Sequence, residues 1–257
     1  MRDATLLELL HEAATAVQGA LGDVADWGVE GTRPGEDHVR YHSDLAADRA
    51  ATDVLARAGV TVVSEESGVH RARGPHAGIV VLVDPLDGST NASLGIPWYA
   101  VSLCAADGDG ARAAVVLDLP HDVRYEATRG GGARRDGVPV VPSACTALAD
   151  AVVAVSGLPS RPWAWRQVRA LGAASLDLCA VAAGVLDAYA DCGTDAHGPW
   201  DYLGGALVCR EAGAAVVDLH GRRLDVSGHA DRRTPVAAAT PALLAELLAA
   251  RAAAGSG

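Results

Sequence analysis

The 257-residue chain has no lysine and no phenylalanine, a single methionine, and aromatic rings at only 4% of positions. All 21 of its Lys-plus-Arg positions are therefore arginine, and the net charge of −11 disfavours nucleic acid or an anionic membrane surface as a partner. Abundant Ala, Arg and Gly beside these absences reads as coding bias and carries no functional information. The five cysteines, Cys104, Cys145, Cys179, Cys192 and Cys209, include no C-x-x-C pair and are odd in number. That argues against a disulfide framework and for buried free thiols in a reducing cytoplasm. No apolar run is long enough to span a bilayer, and the acidic, amphipathic start Asp3–Glu12 is no signal peptide, so a cytoplasmic location is expected. The nine histidines are scattered along the chain, and zinc is not the favoured reading. Ser156-Gly157 lacks the G-x-S-x-G elbow of a serine hydrolase, and Gly130-Gly131-Gly132 is too bare for a dinucleotide loop.

What the chain does have is a concentrated acidic motif. The apolar run Ala77–Val83 reads as a buried strand and delivers Asp84-Pro85-Leu86-Asp87-Gly88-Ser89-Thr90-Asn91 at its end. Two carboxylates sit three apart around a rigid proline; Gly88 lets the backbone approach a ligand, and Ser89 and Thr90 can open a helix. Hard carboxylate oxygens suit Mg²⁺, and free N–H groups at a helix start suit an anion. The same residues also make an ordinary turn with a cap behind it. Two further acidic element ends shift the balance toward a site. Glu65-Glu66 closes the β-branched run Gly59–Ser64, and Asp201 precedes the apolar, Gly-closed segment Tyr202–Gly213, which suits a helix.

With half its residues hydrophobic, the chain can bury a large core as one domain, 1–257, in two closely packed halves. The first half, about residues 1–142, predicts helices over Thr5–Leu21 and Asp44–Arg57 with a polar stretch, Gly28–Asp37, between them. Strands follow near Val60, Ile79, Ala100 and Ala113, with a turn over Ala106–Gly110 and a hairpin turn at Gly130–Gly132. The second half, about 143–257, predicts a strand at Val152–Val155, helices over Trp163–Ala170 and Ser175–Gly184, and a strand at Asp187–Ala190. The Asp201 helix, a strand at Ala215–Asp218, a turn at His220-Gly221 and a terminal helix over Pro241–Ala252 complete it. Trp163 and Trp165 read as core or interface anchors. There is no internal repeat, coiled coil or separating linker.

Glu65-Glu66-Ser67, Asp84–Asn91 and Trp200-Asp201 before a Gly-rich helix resemble, in order and spacing, the three signature blocks of the inositol monophosphatase family. This is a superfamily of Mg²⁺-dependent, lithium-sensitive phosphatases that includes fructose-1,6-bisphosphatase. Gly95–Leu103 and Gly184–Tyr189 extend the resemblance to nearly the whole chain, from about Asp44 to Ala239. It implies an α/β (α+β) fold, a layered α/β/α/β/α sandwich with a mixed, mostly antiparallel sheet followed by a smaller α/β half. The active site would lie where the halves meet, as such clefts commonly do. Glu65, Asp84 and the Leu86 carbonyl would hold one Mg²⁺, and Asp84, Asp87 and Asp201 a second, with two or three ions per site. Since lysine is absent, much of the positive charge facing phosphate would come from these ions. Water oriented by the Ser89 hydroxyl and an earlier acid would attack phosphorus in line, while the Gly88 and Ser89 N–H groups, with Thr90 beside them, receive phosphate oxygens. A small phosphorylated substrate and a homodimer are implied as well.

The chain departs from the family in two places. Where the usual block reads Asp-x-Val-Thr-x-x-Asp, this chain has Tyr41-His42-Ser43-Asp44-Leu45-Ala46-Ala47-Asp48. Asp44 is the favoured water-positioning acid, but His42 could act as base, and Asp48 could be the match or a solvated helix residue. Asp191 falls where the inositol enzymes carry an acid for substrate hydroxyls, yet the stretch from there to Asp201 is about three residues longer, which alters the pocket rim. Gly172-Ala173-Ala174 resembles the small-residue turn beside the sugar ring, or else simply starts a helix. The leading expectation is hydrolysis of an inositol-monophosphate-like ester. The alternatives are another small phosphate, such as histidinol phosphate, a nucleotide or a sugar or nucleoside phosphate of a biosynthetic pathway, or a catalytically silent metal-binding homologue.

Overall fold

Leu6, Leu10, Ala13 and Val17 recur at three- and four-residue spacing, and all four are fully buried along one side of α1 (Asp3–Gly22) in the computed structural model, which describes residues 1–32 and 39–254. Helix α2 (His42–Arg57) packs beside it through Ala47, Ala51 and Leu55. The polar stretch from Gly28 lies partly outside the described residues, at 33–37; the rest contributes β1 (Val29–Thr32), paired antiparallel with β2 (Val39–Tyr41).

Both helices cover one face of an eight-stranded sheet. Its strands are β3 (Thr61–Ser64), β4 (Gly68–His70), β5 (Val80–Asp87), β6 (Ala100–Asp107), β7 (Gly110–Asp118), β8 (Val123–Thr128), β9 (Gly132–Arg135) and β10 (Val138–Pro139). They run in the order β10-β9-β8-β7-β6-β5-β3-β4, antiparallel throughout except for the β3–β5 pair. Along β5, Val81 and Val83 face α1 and α2 while Leu82 faces the opposite way, the two-residue period of a strand buried on both faces. Each such side chain contributes about 1.5–3 kcal/mol on burial.

The second sheet has five strands in the order β12-β11-β13-β15-β14, namely β11 (Val152–Ser156), β12 (Gln167–Arg169), β13 (Ala188–Asp191), β14 (Ala215–Asp218) and β15 (Pro235–Ala238). Between the sheets lie α4 (Ala174–Ala182) and α5 (Pro199–Ala212), and one apolar core runs from Leu82, Cys104 and Val116 through Leu178, Leu203 and Ala206 to Tyr189 and Ala237. Gly205 is what lets these helices approach so closely: a Cβ there would stand 2.7 Å from the Leu178 Cβ. Helix α6 (Pro241–Ala254) closes the far face through Leu243 and Leu247 on Val153, Val155 and Val236. The layers are thus α/β/α/β/α, as the resemblance implied.

The helix expected over Trp163–Ala170 does not form. Pro159 and Pro162 interrupt the segment before it, and Gln167–Arg169 instead adds a parallel edge strand to β11. Trp163 is buried against Trp165 with ring centroids 5.2 Å apart, so its apolar weight belongs to the core beneath α6. The short strands β4, β10 and β15 have too little β-branched or alternating character to be recognised in the sequence. All five cysteines are free thiols, three of them buried. Among the described residues, no helix is long and apolar enough to cross a membrane.

Candidate active site

The register between β5 and β6 slips between Asp84 and Asp87, where Pro85 has no N–H to give the ladder. This bulge presents both carboxylates from one strand end, and Asp84 Oδ1 accepts the Leu86 N–H at 3.0 Å. Gly88 follows with φ 87°, as N-cap of the short helix α3 (Ser89–Leu94), and no side chain caps that helix. A Cβ at Gly88 would meet the Trp98 carbonyl at 3.0 Å and the Ala173 Cβ at 3.2 Å, so both conformation and space demand glycine. Glu65 lies on the turn after β3, its N–H donated to the Val83 carbonyl at 3.0 Å. Asp201 occupies the third position of α5, behind Pro199 at the first turn, and its Oδ2 accepts the Gly198 N–H at 2.7 Å.

Glu65, Asp84 and Asp201 each bring a carboxylate oxygen within 4.8 Å of the others. Asp87 stands beside them, with Oδ2 accepting both the Ser175 N–H (2.7 Å) and the Ser175 hydroxyl (2.5 Å) from the start of α4. Burial, reinforced by Glu65, Asp87 and Asp201, pushes the Asp84 carboxyl well above the usual carboxylate range. Burial likewise raises Asp87 to about 7, with the Ser175 hydrogen bonds opposing and Asp201 adding to the rise. Such a cluster is costly without a cation, and its hard oxygen donors fit a divalent ion of the Mg²⁺ type.

These acids form one side of a cavity of about 380 Å³ between the two halves. Its walls gather Leu86, Gly88, Ser89 and Thr90 from the first half, and Ser156, Gly172, Ala173, Ala174, Asp177, Ala196 and His197 from the second. Of the expected site residues, Glu65, Asp84, Leu86, Asp87, Gly88, Ser89, Thr90, Ala174 and Asp201 are therefore brought together.

Asp44 and Asp191 are not among the lining residues. Asp44 is buried at the third position of α2, its Oδ2 accepting the Tyr41 N–H at 2.8 Å, while the Tyr41 hydroxyl reaches Thr90 Oγ1 at 3.1 Å and ties this helix start to α3. Asp191, expected to accept substrate hydroxyls, is only 1% exposed and faces the lengthened loop instead: Oδ1 accepts the Gly193 N–H at 2.7 Å, and Oδ2 bonds His197 Nδ1 at 3.0 Å. Asp48 is no solvated helix residue, since its Oδ1 accepts the hydroxyls of Ser64 (2.5 Å) and Ser67 (3.1 Å) and so anchors the turn bearing Glu65. His42 is exposed, 3.9 Å from Asp26.

Three residues in or beside this cavity went unassigned in the sequence: Ser175, Asp177 and His197. Asp177 had a visible signal, a lone acid within the apolar run Leu176–Val181. His197 lies in the lengthened loop and its Nε2 reaches the Tyr189 hydroxyl at 3.3 Å. Burial alone would lower its pKa, but the hydrogen bond to Asp191 and the charges of Asp201, Asp191 and Asp87 raise it to about 9. Ser175 gave no signal, because its partner lies 88 residues away in the chain.

A carboxylate-floored cleft with an uncapped helix start on one wall has the makings of a metal-dependent phosphatase. The inositol monophosphatase family model matches residues 3–256. The inositol-1-monophosphatase of Mycobacterium bovis is 34% identical over 274 residues, covering 94% of this chain and 90% of that protein. The Nus factor SuhB of Escherichia coli K12 is 31% identical over 210 residues, covering 75% of this chain and 76% of its own length. Among crystal structures, the extragenic suppressor protein suhB from Bartonella henselae aligns with a TM-score of 0.80 at 27% identity, covering 96% of this chain and 98% of that one. An inositol monophosphatase–fructose 1,6-bisphosphatase aligns at 0.83 and 25% identity, covering 94% and 98%. The chain belongs to the inositol monophosphatase family, and it is a phosphoric monoester hydrolase of that metal-dependent superfamily, acting on small phosphorylated substrates.

Proposed function

We propose that this phosphatase uses Mg²⁺ to hydrolyse a small phosphate monoester of the inositol-monophosphate kind by in-line attack of water. The observation that carries the reading is the convergence of Glu65, Asp84 and Asp201 within 4.8 Å, from both halves of the chain. Five acids line the cavity and, among the described residues, no arginine does. A phosphate dianion could not enter that field unaided. Glu65, Asp84 and the Leu86 carbonyl would hold one ion, and Asp84, Asp87 and Asp201 a second. When bound, Mg²⁺ supplies positive charge to the phosphate oxygens and acidifies water at neutral pH.

The remaining roles belong to the chain's own groups. The N–H groups of Gly88 and Ser89, left open by the absence of a side-chain cap, would receive phosphate oxygens, with Thr90 beside them. The Ser89 hydroxyl would orient the attacking water and relay its proton toward Asp44, which does not itself line the cavity; the Tyr41–Thr90 contact keeps the start of α2, where Asp44 sits, against α3. Ser175 would hold Asp87 by one oxygen and leave the other directed at the cluster.

A second reading, a phosphatase for a different small ester of a biosynthetic pathway, is favoured by one observation: the acid expected to face a cyclitol, Asp191, is committed to His197. A homodimer that binds neither membrane nor nucleic acid completes the proposal. The test is phosphate release from inositol phosphates, histidinol phosphate, sugar phosphates, nucleotides and 3′-phosphoadenosine 5′-phosphate, with Mg²⁺ and with EDTA. Metal-dependent release from a cyclitol phosphate far above the others supports the first reading, and from another ester the second. No release from any member would leave the silent-homologue alternative standing.

A further inference from the structure

Apart from Asp201 of the acidic cluster, the second-half wall of the cavity carries three polar side chains, Ser156, Asp177 and His197. Two are already engaged. His197 gives one ring nitrogen to Asp191 and the other to the Tyr189 hydroxyl, and Ser156 hydrogen-bonds the same tyrosine. Asp177 differs. It is 1% exposed, and its Oδ1 accepts the Trp98 indole N–H at 3.0 Å, which fixes the carboxyl's orientation. Among the described residues, its Oδ2 receives no hydrogen bond, although a carboxylate has about four acceptor positions. A carboxyl in the cavity wall with one of about four acceptor positions filled has unused capacity that a ligand's donor would take up.

We propose that Asp177 is the specificity-determining residue for the leaving alcohol, accepting an O–H or N–H that the alcohol carries, in the place the family resemblance gave to Asp191. The inference rests on the phosphatase reading above. It also defines the substrate class: a monophosphate whose alcohol bears a hydrogen-bond donor and no second anionic group. No arginine lines the cavity among the described residues, and its one histidine is held by Asp191, so a second phosphate or carboxylate would find no counter-charge. The small residues Gly172, Ala173 and Ala174 leave room beside Asp177 for the alcohol.

The experiment compares kcat/KM for three esters of similar size, with Mg²⁺: glycerol 2-phosphate with its hydroxyls, O-phosphoethanolamine with its ammonium, and isopropyl phosphate with neither. The wild type is expected to prefer at least one donor-bearing ester over isopropyl phosphate by about ten- to a hundredfold, the range of one hydrogen bond to a charged group. In Asp177→Ala that ratio should fall to near one, whereas Asp191→Asn should keep it. Asp177→Asn, which retains an acceptor for Trp98, should recover part of the preference for the hydroxyl ester and none for the ammonium ester. It also serves as the comparison if the alanine variant does not fold. Loss of the preference in Asp191→Asn, an equal fall for all three esters in both Asp177 variants, or no preference in the wild type would overturn the assignment. Absence of Mg²⁺-dependent release from every ester, including p-nitrophenyl phosphate, would instead bring down the phosphatase reading itself.

Discussion

Removing metal from the acidic cluster should make the protein lose stability as pH rises from about 4 to about 7, the reverse of ordinary acid denaturation. The carboxyl of Asp87 moves from 3.8 to about 7 on folding, chiefly through burial. The folded state therefore binds this proton more tightly than the unfolded chain, and stability falls as pH climbs through the window between the two values. At 1.36 kcal/mol per unit, a rise of about three units corresponds to a penalty on the order of 4 kcal/mol, complete just above neutrality. Asp84 adds to it in the same direction. Carboxylates held low by partners, such as Asp218 beside Arg222, gain their stabilisation at more acidic pH and do not cancel the trend. Mg²⁺ should remove much of the penalty, since a ligand at about 100 times its Kd adds about 2.7 kcal/mol. Urea denaturation at pH 5 and pH 7.5, with EDTA and with Mg²⁺, measures all of this. The apo protein should be weaker at pH 7.5, Mg²⁺ should close the gap, and Asp87→Asn without metal should show a much smaller fall. An apo protein equally stable at both pH values, or an Asp87→Asn variant with an undiminished fall, would refute the electrostatic account.

Other consequences can be checked separately. Asp87→Asn should abolish Mg²⁺-dependent turnover while leaving the circular dichroism spectrum unchanged; retention of wild-type rates would remove Asp87 from the site. Ser175→Ala deletes a 2.5 Å hydroxyl bond to Asp87 but keeps the 2.7 Å amide bond; Mg²⁺ affinity by calorimetry should weaken by about ten- to a hundredfold, the loss of one charge-assisted bond of ~1.5–3 kcal/mol. Gly88→Ala combines a φ of 87° with a 3.0 Å contact to the Trp98 carbonyl; it should lower stability by about 1–3 kcal/mol and depress turnover, and an unchanged melting temperature would show that the turn relaxes freely. The His197 imidazole, raised to about 9, stabilises the apo protein fully below about pH 6.5, and that support is lost as pH rises through 9. Its ring resonances should titrate near 9 without metal and at lower pH in Asp191→Asn.

The layers of the fold were legible because most elements announce themselves locally. Buried strands such as Val80–Val83 are unbroken apolar runs, α1 has its three-and-four spacing, and α5 is bracketed by Pro199 and by Gly213 at φ 97°. The segment around Trp163 misled because a tryptophan-rich stretch carries apolar weight without period, and whether it becomes helix or edge strand is decided by its neighbour β11, just before which the Ala151 carbonyl accepts the N–H groups of Arg166 and Gln167. Edge and very short strands behave alike: their hydrogen bonds come from a neighbour whose presence no local pattern encodes.

The site divides along the same line, and the division says something about how it is built. Asp84, Asp87 and Gly88 were readable because a bulge, a proline and a left-handed glycine are local necessities that dictate residue type. Glu65 and Asp201 were readable because each ends an element. What was hidden is everything that crosses between the halves: Ser175 on Asp87, 88 residues apart, and Trp98 on Asp177, 79 residues apart. The lengthened loop after Asp191 is the informative exception. Its length signalled an altered rim, but only the folded chain shows that the loop returns His197 to Asp191 and so takes that acid out of the cavity wall. The acids that would bind metal are set by local turn geometry and the groups that would choose a substrate by packing across the cleft, so substitutions at the cleft can retune the substrate while the acidic cluster stays as it is.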